Sequence, residues 1–406
     1  MYDLLKGMRV VEAAAFIAGP SCGLYMAELG AQVIRIDTIG GGPDFRRWPL
    51  SPGGDSLYWE GLNKAKKSVC IDLARPEGRE LAVRLAAAPG EDAGLFVTNF
   101  PAEGFLSYER LRAARDDIIC VRVMGWADGR TAVDYTVNAA MGVPMMTGFP
   151  DDARPVNHVL PAWDLFTGAY AAFCLVAAER ARRGGQGGRE VRIPLSDIAA
   201  SSLSNMGQVA EVMMAGADRP RAGNAVFGGF GRDFVTRDGQ RIMIFAITAR
   251  QWRGLLQTLG VTETVKALEA ELGVSFDGHE GVRYQWRERL FPIVEAAFAR
   301  RAAAELVPAF EAQGVCWSMY RGLHDAVVDT PEHFAGNPVF SRAAHPSGLD
   351  YPAAGFAATL SGAERRPVSP APRLGADTDE VLAEVLGLAS GEIGRLHDAG
   401  LIGGAR

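Results

Sequence analysis

Apolar and polar positions alternate in blocks that give the first third of the chain a strand–helix rhythm. Arg9 to Glu12 is a short apolar run that predicts a strand. A small-residue loop follows, Ala13 to Gly19, and Pro20 suits the first turn of a helix running to Leu29, with Gly30 as its C′ residue. Gln32 to Ile36 predicts a second strand, ending at Asp37. Strand Ser68–Leu73, helix Pro76–Ala87, strand Gly94–Thr98 and strand Ile118–Met124 continue the pattern. Such alternation predicts a parallel sheet covered on both faces, and the opening βαβ unit is Rossmann-like in layout. Trp163 to Arg183 is a long alanine-rich helix that ends in basic residues before Gly184 and Gly185, with strand Glu190–Pro194 and a helical region Asp197–Met214 after it. Arg232 to Ile247 reads as a hairpin turning at Arg237-Asp238-Gly239-Gln240. Helices follow to about Gln313, and the tail Pro370–Leu401 reads as a loop, a helix Asp377–Leu386 and a short last helix.

This layout implies an α/β fold: a large Rossmann-like domain over 1–200, a smaller inserted α+β domain over 222–325, and a return to the large domain over 345–406. A length of 406 residues and a hydrophobic content of 48% allow two domains with substantial cores. No stretch of 18 apolar residues suggests a membrane span, and the start lacks a signal-peptide layout. Cys22, Cys70, Cys120, Cys174 and Cys316 are scattered without a CxxC pair, which argues against zinc or thioredoxin-like chemistry. The expectation is a soluble cytoplasmic protein with reduced thiols. A net charge of −6 gives no nucleic-acid footprint.

Familiar catalytic signatures are missing. The first turn reads AAAFIAGP rather than GxGxxG, and no P-loop, HExxH or GxSxG occurs. The lysines are more informative. Of 42 basic residues only Lys6, Lys64, Lys66, Lys67 and Lys266 are lysines, and three of them fall in Asn63–Lys67. That cluster reads either as a solvated turn or as a phosphate-binding loop. Asp164, at the start of the long helix, is open to two readings. It is a first-turn acid that stabilises the helix, or a carboxylate kept ionised by the helix N-terminus and able to attack an acyl group. Phe227-Gly228-Gly229-Phe230-Gly231 reads as a plain loop or as a mobile lid that excludes water. Arg46, Arg47 and His158 are candidates to bind a substrate carboxylate.

Taken together, GMRVVEAAAFIAGPSCGLYMAELGAQVIRID, NKAKKSVCIDLARPEGREL, LFVTNFPAEG, VDYTVNAAMGVPMMTG, LPAWDLFTG and PAPRLGADTDEVLAEVLGL resemble the class III (CaiB/BaiF type) CoA transferases. The resemblance spans nearly the whole chain. It implies a dimer whose chains interlock, acyl-CoA and dicarboxylate substrates, and no cofactor or metal beyond coenzyme A itself. It implies no nucleic-acid or membrane partner. It places the nucleophile at Asp164, ahead of Thr167-Gly168, and a closing glycine loop at Gly228, Gly229 and Gly231. It places coenzyme contacts at Ile17, Ala18, Arg35, Lys64, Asn99 and Phe100. Ile17 stands where some formyl and oxalyl transferases carry glutamine, which turns the reading away from those substrates. Pro101, Ala102 and Glu103 stand where many relatives carry a phosphate-binding arginine. Features such as GGGPDFRRWP, VNHVLPAWD and FGGFGRDF resemble members that move CoA between two carboxyl groups of one dicarboxylate. The alternatives are transfer between two separate acids, an α-methylacyl-CoA racemase and a non-catalytic acyl-CoA binder. The racemase reading needs a histidine directly before Asp134, where this chain has Val133.

Overall fold

A computed structural model describes residues 1–404. The chain divides into two compact units, one formed by 1–141, 158–211 and 330–406, the other by 142–157 and 212–329.

The first unit is built on a seven-stranded sheet. Its strands are β1 (Arg9–Ala13), β2 (Gln32–Asp37), β3 (Lys67–Ile71), β4 (Leu95–Thr98), β5 (Ile119–Met124) and β6 (Arg189–Pro194), with a last short strand Ile402–Gly403. The order is 402–403, β3, β2, β1, β4, β5, β6. The six long strands run parallel, whereas Ile402–Gly403 lies antiparallel on the β3 edge. Consecutive apolar residues explain the parallel arrangement, because each strand must satisfy a core on both faces. Val11, Ile34, Val69 and Phe96 join Leu81, Leu85, Val381 and Leu382 on one side. Val10, Val33, Leu95, Val97 and Val121 join Met26, Ala171 and Leu175 on the other. The helices that cover the second side are Ala18–Glu28 and the long helix Ala162–Arg183. Gly168 lets these two helices touch: a Cβ there would lie 2.6 Å from Ser21 Cβ and 2.9 Å from the Ala18 carbonyl oxygen.

The chain order reverses between β1 and β4, which is the switch point of a Rossmann sheet. Ligands of such sheets bind outside the carboxyl ends of the strands at this point. No helix among the described residues is long and apolar enough to cross a membrane.

In the second unit, Phe230–Val235, Arg241–Ala246 and Trp317–Met319 form an antiparallel sheet. Phe230, Phe234, Trp252, Phe291, Phe298 and Phe310 fill the core between it and the helices. This unit extends beyond the block 222–325 and takes up 142–157, inside the stretch read as the first domain. The physical reason is Arg221, which donates to the carbonyls of Met145 and Arg154, while the Gly223 amide bonds to the Gly148 carbonyl.

Two other expectations change. The helical region 197–214 is two helices, Leu195–Asn205 and Gln208–Ala215, broken at Gly207 with φ +77°. A hairpin of Phe340–Ala344 with Asp350–Ala354 lies where no strand was predicted.

Candidate active site

A cavity of about 340 Å³ opens at the switch point. Residues 15–18 after β1, 99–103 after β4, 123–125 at the end of β5, and Asp164 line it. The loop after β1 is held by Asn99, whose amide pairs both ways with the Ala15 backbone at 3.2 and 2.9 Å. Phe16 adopts φ +69°, uncommon for a residue with a side chain. Its amide donates to Asp44 Oδ2 at 3.2 Å, which fixes this conformation. Ile17, Ala18, Asn99 and Phe100 therefore line one cavity with Asp164.

Asp164 sits in the first turn of the long helix, whose N-cap is Pro161. Pro161 has no side-chain oxygen with which to cap. The exposed amides of Trp163 and Asp164 instead donate to Asp134 Oδ2, at 2.7 and 3.0 Å. Asp134 opens the helix Asp134–Ala140, and Asn138, one turn on, accepts from Trp163 Nε1 at 3.0 Å. One face of this short helix thus fastens the start of the long one. The second oxygen of Asp134 meets His158 Nε2 at 2.9 Å.

The helix N-terminus therefore does not keep Asp164 readily ionised, contrary to expectation. Its amides are already taken by another carboxylate. Burial pushes the Asp164 carboxyl up to about 7, the Asp134 charge adds to the rise, and Arg47 opposes it. The group titrates near neutrality, as catalytic carboxylates in clefts often do.

The structure separates residues that adjoin in sequence. The Arg47 guanidinium lies 5.3 Å from the ring centroids of both Phe16 and Tyr58, and its charge reaches Asp164. The buried Tyr58 hydroxyl has no hydrogen-bond partner among the described residues. Arg46 lines a different cavity, of about 370 Å³, with Trp59, Glu60 and Arg373. His158 turns its Nε2 to Asp134 at the start of the long helix.

Arg35 and the lysine loop are corrections. Arg35 is only 2% exposed. It pairs with Asp37 at 2.8 Å, Asp44 at 2.9 Å and Glu12 at 3.3 Å, so no coenzyme contact is left to it. Burial alone would lower its proton affinity, but Asp37, Asp44 and Glu12 together raise it. Lys66 is buried against Glu12 at 2.9 Å and also donates to the Pro20 carbonyl. Lys64 donates to the Ala354 carbonyl and lines a separate cavity with His345 and Tyr351. Lys67 pairs with Glu380. The three lysines turn to three different partners, so they do not form one phosphate cradle.

Gly228 and Gly229 lie in the second unit. Gly228 has φ +82°, and a Cβ on Gly229 would fall 2.6 Å from Phe245 Cε2, so both positions call for glycine. Phe227 packs on Tyr284 with ring centroids 5.2 Å apart, and the Arg219 guanidinium lies 3.7 Å from its ring.

The model of CoA-transferase family III matches residues 5–378. The chain belongs to that family. The transferase is 46% identical to a 2-methylfumaryl-CoA isomerase of Chloroflexus aurantiacus, over all of this chain and 99% of the relative. It is 33% identical to a succinyl-CoA–D-citramalate CoA-transferase of the same organism, over 64% of this chain and 65% of the relative. A crystal structure of a CaiB/BaiF family protein from Brucella suis shares the fold, with TM-score 0.76 and 24% identity over 95% of this chain and all of that one.

Two features of the site went unnoticed in the sequence. Asp134 and Asn138 are four residues apart in VDYTVNAAMG, a spacing that marks one helical face. Tyr58 carries no local signal, because its importance comes from packing against Arg47. Val133 lines the cavity with 52% of its surface exposed and offers no acid or base. This is the position at which a racemase would need its histidine.

Proposed function

We propose that the transferase moves CoA between the two carboxyl groups of 2-methylfumaryl-CoA (mesaconyl-CoA) through covalent intermediates on Asp164. The observation that carries this reading is a carboxylate at the switch-point cavity whose pKa, about 7, leaves it both ionisable and strongly nucleophilic at neutral pH. The likeness to the isomerase supports the choice of substrate.

An Asp164 oxygen attacks the thioester carbonyl and the CoA thiolate leaves, giving a mixed anhydride. The thiolate then attacks the Asp164 carbonyl and releases the substrate carboxylate, giving an aspartyl-CoA thioester. The other carboxylate of the same molecule attacks that carbonyl and expels the thiolate. The thiolate finally attacks the new acyl carbonyl, and Asp164 leaves as a carboxylate. Each step exchanges one acyl bond for another, so no metal, redox group or cofactor beyond CoA is required. The anhydride must be kept from water, and the glycines 228 and 229 are our candidates for a closing loop.

Intramolecular transfer is distinguished from ordinary transfer by crossover. ¹³C-labelled mesaconyl-C1-CoA is supplied with a large excess of unlabelled mesaconate. The C4 product should keep the label, because a retained acid has an effective concentration far above any external one. Product diluted toward the unlabelled pool would mean that the acid escapes and the enzyme is an intermolecular transferase. Unchanged substrate would discard mesaconate while leaving the aspartyl mechanism in place.

The transferase also works as an interlocked homodimer in our reading. Phe166, Tyr170 and Phe173 are 49%, 43% and 66% exposed along one face of the long helix, a stripe that suits burial by a second chain. Sedimentation should give twice the 43.4 kDa of one chain, and a monomer at micromolar concentration would refute it.

A further inference from the structure

Two carboxylates meet at the start of the long helix, and the reaction proposed above uses only one of them. Asp134 is 1% exposed. A buried carboxylate beside another costs stability unless something holds it there. The Trp163 and Asp164 amides and His158 Nε2 supply that hold.

We propose that Asp134 is a positioning residue for transfer. It fixes the backbone of Asp164 through the two amides, and its like charge disfavours the ionised nucleophile relative to the acylated one. The inference rests on Asp164 being the nucleophile. In both the anhydride and the aspartyl-CoA thioester the Asp164 carbonyl is neutral, so the repulsion present in the free enzyme vanishes on acylation. Repulsion that is relieved on the way to the intermediate lowers the barrier to it. The amides act in the same direction. Left free they would stabilise the resting Asp164 carboxylate, and Asp134 withdraws them.

The other charges around Asp164 are placed differently. Arg47 and Tyr58 come from the segment after β2, and Arg47 opposes the effect of Asp134. Glu103 and Arg130 line the same cavity. Of the groups around Asp164, Asp134 combines a negative charge with hydrogen bonds to the nucleophile's own helix turn.

The test is a titration of the Asp164 carboxyl by infrared difference spectroscopy, using Asp164→Asn as the blank. The wild-type midpoint should lie near 7. Asp134→Asn keeps an oxygen that can accept the two amides but removes the charge. Its midpoint should fall by about one pH unit, and the same lost repulsion should slow formation of acyl-Asp164 by about tenfold at pH 8. Asp134→Ser, a neutral cap of another shape, must move the midpoint in the same direction and stands in if the asparagine variant does not fold. A purely structural cap would leave the asparagine variant's midpoint and rate within about twofold of wild type, and that result would overturn the proposal. The reading of Asp164 as nucleophile fails separately: acyl-CoA would then leave no mass on the Asp164 peptide of wild type, whatever the titrations show.

Discussion

Asp164→Ala should reduce CoA transfer by about 10⁴-fold or more while leaving the fold intact. The loss is large because every step of the proposed exchange passes through a bond to this carboxylate. The fold should survive because the Asp164 side chain accepts no hydrogen bond among the described residues, and Asp134 provides the helix cap. The linkage has a definite sign. The folded-state pKa of Asp164 is about 7, above its ordinary value of 3.8. Between those values the folded state binds more protons than the unfolded one, so this group's contribution to stability falls as pH rises through the window. Above pH 7 the ionised side chain is a burden on the fold, and the alanine variant should unfold at a temperature no lower than wild type. Activity is measured by conversion of 2-methylfumaryl-CoA, and the intermediate by hydroxylamine trapping and mass analysis of the Asp164 peptide. A variant that keeps activity within about tenfold of wild type, a barrier change of only ~1.4 kcal/mol, would remove covalent catalysis from the account.

The sheet was legible in the sequence because its strands are short apolar runs between turn signals. Arg9–Ala13, Gln32–Asp37 and Ile119–Met124 need no distant information to be recognised. The edge strand Ile402–Gly403 is two residues long and defined only by its partner Ile71–Cys70, so nothing local marks it. The hairpin Phe340–Ala344 with Asp350–Ala354 was obscured by weak alternation and by Pro352 in its second strand.

At the site, the resemblance singled out the loops after β1 and β4 and Asp164, and the structure places all three around one cavity at the switch point. Their electrostatics were not legible. The Lys66–Glu12 pair joins residues 54 positions apart, and it turns a loop that suggests phosphate binding into an internal strut. The Asp134 carboxylate reverses the effect expected of a helix N-terminus on a residue 30 positions later. In both cases the identity of the side chain was visible and its partner was not. Charge effects are set by the partner.

The neighbours Arg46 and Arg47 are the plainest case, and they carry the second large effect. Arg47 has no ion pair among the described residues. It stands with Phe16 and Tyr58 near Asp164, and the Tyr58 hydroxyl has no hydrogen-bond partner among the described residues. We assign Arg47, assisted by Tyr58, to the free carboxylate of the substrate. Arg47 is exposed, with its guanidinium over two aromatic faces, which suits it to a planar carboxylate; once bound substrate covers that pair, truncating it costs about 2–5 kcal/mol. Arg47→Met keeps the length of the side chain and removes the charge. It should lower kcat/KM for 2-methylfumaryl-CoA by about 30-fold to 1,000-fold. A monocarboxylic acyl-CoA such as crotonyl-CoA has no second carboxylate to lose. Its transfer to Asp164, read as labelled peptide, should change by less than about threefold in the same variant. Arg46→Met, in the other cavity, should leave both rates near wild type. Equal losses for the two acyl-CoAs would mean that Arg47 acts on Asp164 itself through its charge. No loss for either would return the carboxylate to a residue outside this cluster.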